Sequence, residues 1–119
     1  MEMPAPDSTV LSRKPRIVAR LQEVLGTTGV IHDEAETRAY ECDALTAYKC
    51  PPLAVVLPSS TAEVAAIMKV CHEEGVPVVP RGSGTSLAGG ALPTADSVIL
   101  GVARPTRVLE IDYDNRFIR

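Results

Sequence analysis

Residues 80–90 read Pro80-Arg81-Gly82-Ser83-Gly84-Thr85-Ser86-Leu87-Ala88-Gly89-Gly90, and they carry the strongest chemical signal in the chain. Four glycines, three hydroxyl side chains and one arginine take eight of these eleven positions, with no acidic residue among them. Glycine lets consecutive backbone N–H groups turn toward one point and lets the main chain approach a ligand closely. Such a concavity suits a phosphate or a diphosphate. Ser83, Thr85 and Ser86 can add hydrogen bonds, and Arg81 can add charge. The two common nucleotide loops do not match: the Rossmann fingerprint needs a glycine where Leu87 stands, and a P-loop needs a lysine that residues 80–90 lack. Composition alone leaves two readings open, a phosphate cradle and a merely flexible turn.

Other reactive side chains are scattered. Cys42, Cys50 and Cys71 are odd in number and form no Cys-x-x-Cys, so they read as reduced, partly buried thiols and no metal site is assigned. His32 and His72 have no partner at ligand spacing. Asp43, Asp112 and Asp114 read as solvated loop carboxylates, and Arg104, Arg107, Arg116 and Arg119 as surface charge. No catalytic acid, base or nucleophile is assigned. Over 119 residues, 45% are apolar and 23% charged, the proportions of a soluble globular domain. Twelve cations and fifteen anions give a formal charge of −3 without long runs, which argues against a nucleic-acid or anionic-membrane surface. No apolar stretch is long enough to span a bilayer, and residues 1–7 lack the cationic head and apolar run of a secretory signal. The expected address is the cytoplasm.

A ligand loop needs rigid elements on either side, and the sequence supplies them. Residues 1–14 read as a flexible lead. From Pro15, apolar residues at Ile17, Val18, Leu21, Val24 and Leu25 recur at helical spacing, and Gly26 stops the helix. A second short helix is expected over Glu34–Tyr40 with Asp33 as cap, then a loop to Pro52. Leu53–Leu57 is a continuous apolar run of strand length, suited to a sheet covered on both faces. Ser60 with Glu63 makes a capping box, opening a helix whose buried face is expected at Val64, Ile67, Met68 and Cys71, ended by Gly75. Val76–Pro80 follows as a strand, completing a βαβ unit. Further strands are expected at Ser97–Gly101 and at Val108–Ile111.

The run Val78-Val79-Pro80-Arg81-Gly82-Ser83-Gly84-Thr85-Ser86-Leu87-Ala88-Gly89-Gly90-Ala91-Leu92-Pro93 closely resembles the diphosphate loop of FAD-linked oxidases of the vanillyl-alcohol oxidase type, which have the PCMH FAD-binding fold. Within that family it is most similar to the glycolate oxidase catalytic D subunit and the FAD-linked D-lactate dehydrogenases. The likeness extends upstream through Tyr40–Leu45 and Pro51–Pro58, and downstream into Val108–Asp112.

The resemblance implies an α+β fold, the first subdomain of a PCMH-type FAD-binding domain. Its small, mostly parallel, βαβ-containing sheet is flanked by helices, and the domain spans residues 15–119 but is incomplete at the C-terminus. It implies that Pro80, Arg81, Gly82, Ser83, Gly84, Thr85, Ser86, Leu87, Gly89 and Gly90 wrap the diphosphate of FAD. Family members that tether FAD covalently at this loop carry histidine near the position of Thr85, so non-covalent FAD is implied here. Ser86 stands where glycine is common, a change that costs little if its φ is negative. For the complete enzyme the resemblance implies hydride transfer from the α-carbon of a small 2-hydroxy acid, glycolate or D-lactate, to the flavin. It also implies an iron–sulfur partner subunit and a peripheral association with the inner membrane through partners. The isolated chain is expected to be inactive, because the half that supplies substrate and catalytic groups is missing. Two other readings stay beside this one: a non-catalytic nucleotide-binding or interaction module, and an inactive fragment.

Overall fold

The computed structural model describes residues 3–104 and 108–119. Four apolar segments pair as one sheet: β1 (Val30–Ile31), β2 (Ala54–Val56), β3 (Val78–Arg81) and β4 (Val98–Gly101), in the spatial order β1-β2-β4-β3. β1 runs antiparallel to β2, whereas β2 and β3 both run parallel to β4. The βαβ unit is therefore split. Its two strands are parallel, but the later strand β4 lies between them. β4 and β2 are buried at every position, as a strand with neighbours on both sides and cover on both faces requires. Side chains alternate across such a strand, so Ala54, Val56, Val98 and Leu100 share the main core while Val55 and Ile99, also fully buried, face the other way.

Two helices cover the main core face. α2 (Lys14–Leu25) has proline in its first turn, buries Ile17, Val18 and Leu21, and ends at Gly26. α4 (Thr61–Glu74) packs beside it. Ser60 caps α4 by accepting the Glu63 N–H at 3.2 Å. The reciprocal half of the box is displaced by one residue, because the Glu63 carboxylate takes the N–H and hydroxyl of Ser59 at 2.6 and 3.0 Å. Gly75, in the left-handed conformation at φ 65°, closes the last turn. The buried stripe of α4 is Ile67, Val70, Cys71 and Glu74. Met68, expected inside, is 46% exposed, because it lies one position off the i, i+3, i+4, i+7 line that meets α2 and the sheet. Burial pushes the Cys71 thiol up to about 11, so it stays protonated and inert.

The buried carboxylate of Glu74 is the feature that periodicity missed. Arg13, Arg16 and Arg20 on and before α2 converge on it at 2.9, 3.0 and 2.8 Å, and Arg20 also pairs with Glu73. A carboxylate at 1% side-chain exposure is tolerable only with such partners. Arg20, the leading cause, holds the Glu74 carboxyl below its ordinary value against the opposing effect of burial.

Three further differences have local causes. The expected loose lead holds a short helix, α1 (Ser8–Ser12), because Asp7 caps Thr9 and Val10 reaches the core at 2% exposure. The buried Asp96 carboxylate accepts the Asp7 N–H at 2.8 Å and ties this end down. The second helix divides into α3 (Glu34–Thr37), capped by Asp33 as expected, and a 3-10 turn over Arg38–Tyr40. The strand expected at Val108–Ile111 begins at Ile111. β5 (Ile111–Asp112) pairs antiparallel with β6 (Phe117–Ile118) as a separate hairpin, where the Asp112 carboxylate caps the Asn115 N–H at 2.8 Å. Arg107, read from the sequence as surface charge, lies outside the described residues. Among the described residues, no helix is long and apolar enough to cross a membrane.

Candidate phosphate-binding site

β2, β3 and β4 are parallel, so Val56, Arg81 and Gly101 bring their carboxyl ends to one edge of the sheet. Ligands of open α/β sheets bind beyond that edge. The glycine-rich loop leaves β3 there and reaches β4 without a helix, through residues 82–97. Its ends are fixed to the sheet: the Val102 N–H donates to the Arg81 carbonyl at 2.9 Å, and the Ser97 hydroxyl closes the turn before β4 by donating to the Thr94 carbonyl at 2.8 Å.

Between these anchors the loop encloses an open depression of about 370 Å³, lined by Pro80, Gly82, Ser83, Gly84, Thr85, Ser86, Gly90 and Ala91. Seven of the ten residues expected to contact a diphosphate are thus brought together, and three are not. Leu87 is 77% exposed and does not line the depression, Gly89 sits in the turn that closes on Leu92, and Arg81 is engaged elsewhere.

The loop's hydrogen bonding separates its two halves. In the second half, the Ser86 hydroxyl accepts the N–H of Gly90 at 3.0 Å and, more weakly, that of Ala88 at 3.4 Å. The Ala91 N–H reaches the Asp43 carboxylate at 3.4 Å. In the first half, the N–H groups of Gly82, Ser83, Gly84, Thr85 and Ser86 donate to no acceptor among the described residues. Five donors around one hollow, with the Ser83 and Thr85 hydroxyls beside them, match an anion with several acceptor oxygens. A Cβ at Gly82 would meet nothing within 4 Å, so that side of the main chain is open to a ligand. Arg116 is the one described non-glycine residue at positive φ, so Ser86 occupies its position without backbone strain.

Two sequence readings change. Arg81 does not point its charge into the hollow: its Nη1 donates to the Cys42 carbonyl at 2.7 Å and its guanidinium lies 5.7 Å from the centre of the Tyr40 ring. Asp43 is no solvated loop carboxylate. At 4% exposure it accepts the Leu45 N–H at 2.9 Å as well as that of Ala91. Neither role leaves a trace in local spacing, since the partners lie 39 and 48 residues away. Among the described residues, no group of three or more His, Cys, Asp or Glu side chains could hold a metal ion.

Fold and loop together define a module with a phosphate-sized anion site at the carboxyl edge of its parallel strands, and its family follows from its likeness to known proteins. Residues 52–119 match the FAD binding domain family, more than half of the chain, so the chain belongs to that family of FAD-binding proteins. It is similar to the glycolate oxidase subunit GlcD of Escherichia coli, with 45% identity over 103 residues that cover 87% of this chain and 21% of that protein. It is also similar to the D-lactate dehydrogenase of Archaeoglobus fulgidus, with 48% identity over 62 residues, 52% of this chain and 14% of the relative. The fold matches the crystal structure of p-cresol methylhydroxylase with a TM-score of 0.73 at 20% identity, over 91% of this chain and 21% of that one. The fold is therefore that of the PCMH-type FAD-binding domain, with the small, mostly parallel sheet expected from the sequence. The chain spans about a fifth of the length of the curated relatives it matches over most of its own length.

Proposed function

We propose that this chain forms the first part of the FAD-binding domain, residues 15–119, of a dehydrogenase acting on small 2-hydroxy acids of the glycolate or D-lactate type. In this reading the amides of residues 82–86, helped by Ser83 and Thr85, hold the FAD diphosphate. The observation that carries it is the set of five uncommitted N–H groups around a hollow at the carboxyl edge of a parallel sheet. The residues fit the cofactor. The hollow has no acidic lining residue, its Gly82 side is open, and its walls are anchored at both ends. The substrate class is supported by the names of the relatives, glycolate oxidase and D-lactate dehydrogenase.

When bound, FAD supplies the acceptor for the hydride leaving the substrate α-carbon. The chain's own part is to bind and orient. Thr85 offers no imidazole for a covalent link, so this loop would hold the cofactor by hydrogen bonds alone. A partner subunit carrying an iron–sulfur centre would take the electrons, and the assembly would be cytoplasmic or held peripherally at the inner membrane by its partners.

Titration of the ¹⁵N-labelled protein with FAD, ADP and FMN tests the diphosphate reading. FAD and ADP should shift the amides of residues 82–86, weakly in the isolated chain, and FMN, which lacks the diphosphate, should not. Equal shifts with FMN, or none with FAD and ADP, would remove the basis for the assignment. In the enzyme that carries this domain, anaerobic glycolate or D-lactate should bleach the flavin absorbance, and acid precipitation should release FAD intact into the supernatant.

A further inference from the structure

Arg81 is the one cation of the glycine-rich loop, yet its guanidinium is spent on the segment Tyr40–Leu45. It bonds the Cys42 carbonyl, stacks on Tyr40, and passes so close over Gly84 that a Cβ there would lie 2.3 Å from its Nη2 atom. Gly84 itself is left-handed, at φ 74°, in the middle of the run of uncommitted amides. At the other end of the loop, the neighbour of Cys42 repeats the arrangement: the buried Asp43 carboxylate holds the Leu45 N–H and reaches the Ala91 N–H. One short segment thus grips the glycine-rich loop where it begins and where it ends. That segment is supported in turn by the 3-10 turn Arg38–Tyr40, continuous with capped α3.

We infer that Arg81 is a positioning residue for the diphosphate site. It acts through the main chain rather than by touching the ligand, pressing Gly84 into its left-handed geometry so that the amides of residues 82–86 face the hollow. Preorganised donors bind an anion without paying to order themselves at the moment of binding. This inference rests on the diphosphate reading above. It predicts that the planar shape of Arg81 matters and its charge alone does not, because a lysine cannot lie as a plane over the Tyr40 ring while donating to the Cys42 carbonyl.

The test compares Arg81→Ala, Arg81→Lys and Tyr40→Leu with the unsubstituted protein. ADP and FAD affinity are measured by titration, and backbone ¹⁵N order parameters of residues 82–86 are measured without ligand. Both Arg81 variants should weaken ADP by about tenfold or more, the worth of one charge-assisted hydrogen bond expressed as affinity. Tyr40→Leu should shift affinity the same way, and the order parameters of residues 82–86 should fall in all three. Affinity kept by Arg81→Lys but lost by Arg81→Ala would make Arg81 a direct phosphate ligand and overturn the inference. Unchanged order parameters in Arg81→Ala would overturn it as well. Should the unsubstituted protein bind neither ADP nor FAD, the diphosphate reading fails, and the order parameters alone decide whether Arg81 orders the loop.

Discussion

Gly82 and Gly84 look interchangeable in the sequence, but they do different work. Gly84 holds φ 74° under the Arg81 guanidinium, whereas Gly82 lines the hollow and a Cβ there would meet nothing within 4 Å. Gly82→Val should therefore leave the thermal midpoint unchanged and abolish FAD binding by filling the ligand's place. Gly84→Val should do both kinds of damage, costing about 1–3 kcal/mol in stability for the forced left-handed conformation while disordering the site. Calorimetry and flavin titration on the two variants separate these effects, and a Gly82→Val protein that still takes up FAD would place the ligand elsewhere. The residue types were enough to see a phosphate loop. They could not show that Arg81 serves the backbone, because its partner carbonyl at Cys42 belongs to a segment with no motif of its own.

The elements beneath the loop were largely visible in advance, because each has a punctuated beginning and end. Asp33 caps α3, Ser60 caps α4, Gly75 closes α4, and the apolar runs at Ala54–Val56 and Val98–Gly101 are strands that both faces bury. Polar packing between elements was hidden. Glu74 sits on the buried stripe of α4, where periodicity favours an apolar residue, and three arginines on and just before α2 make it tolerable there. The pH dependence follows from this cluster. Contact with Arg20 leads in holding both Glu73 and Glu74 below their ordinary 4.5. A carboxyl with a depressed folded value contributes stability above its unfolded value, and that contribution is lost as the pH falls through the folded value. Acid should therefore weaken the α2–α4 contact progressively below about pH 4.5 with uptake of protons. Glu74→Gln should lower the melting temperature at neutral pH and shrink its further fall on going to about pH 3. An undiminished fall in that variant would assign the acid sensitivity to other carboxylates, Asp96 among them.

At the scale of the whole molecule, β4 is the central parallel strand and the last of the sheet in sequence. Local patterns found all three parallel strands but could not order them, because register and adjacency depend on contacts between distant segments. The hairpin β5–β6 stands apart from that sheet, with Val108, Leu109, Ile111, Tyr113 and Ile118 each at least half exposed. A chain shortened to end after Arg104 should keep the cooperative unfolding of the sheet. One ending after Asp96 should lose it, because β2 and β3 would be left with no strand between them. Circular dichroism melts of the two shortened chains make the comparison, and a folded 96-residue chain would contradict the strand order.

That order also sets a timetable. Chains are made from the amino end, so α2, β2, α4, β3 and the glycine-rich loop all leave the ribosome while the strand that unites them is still unmade. Until Gly101 has emerged, two apolar ribbons wait with open edges, and the loop hangs from one of them with no floor beneath it. The nascent protein is then at its stickiest, and chaperone demand should peak just before the fourth ribbon slots into the gap.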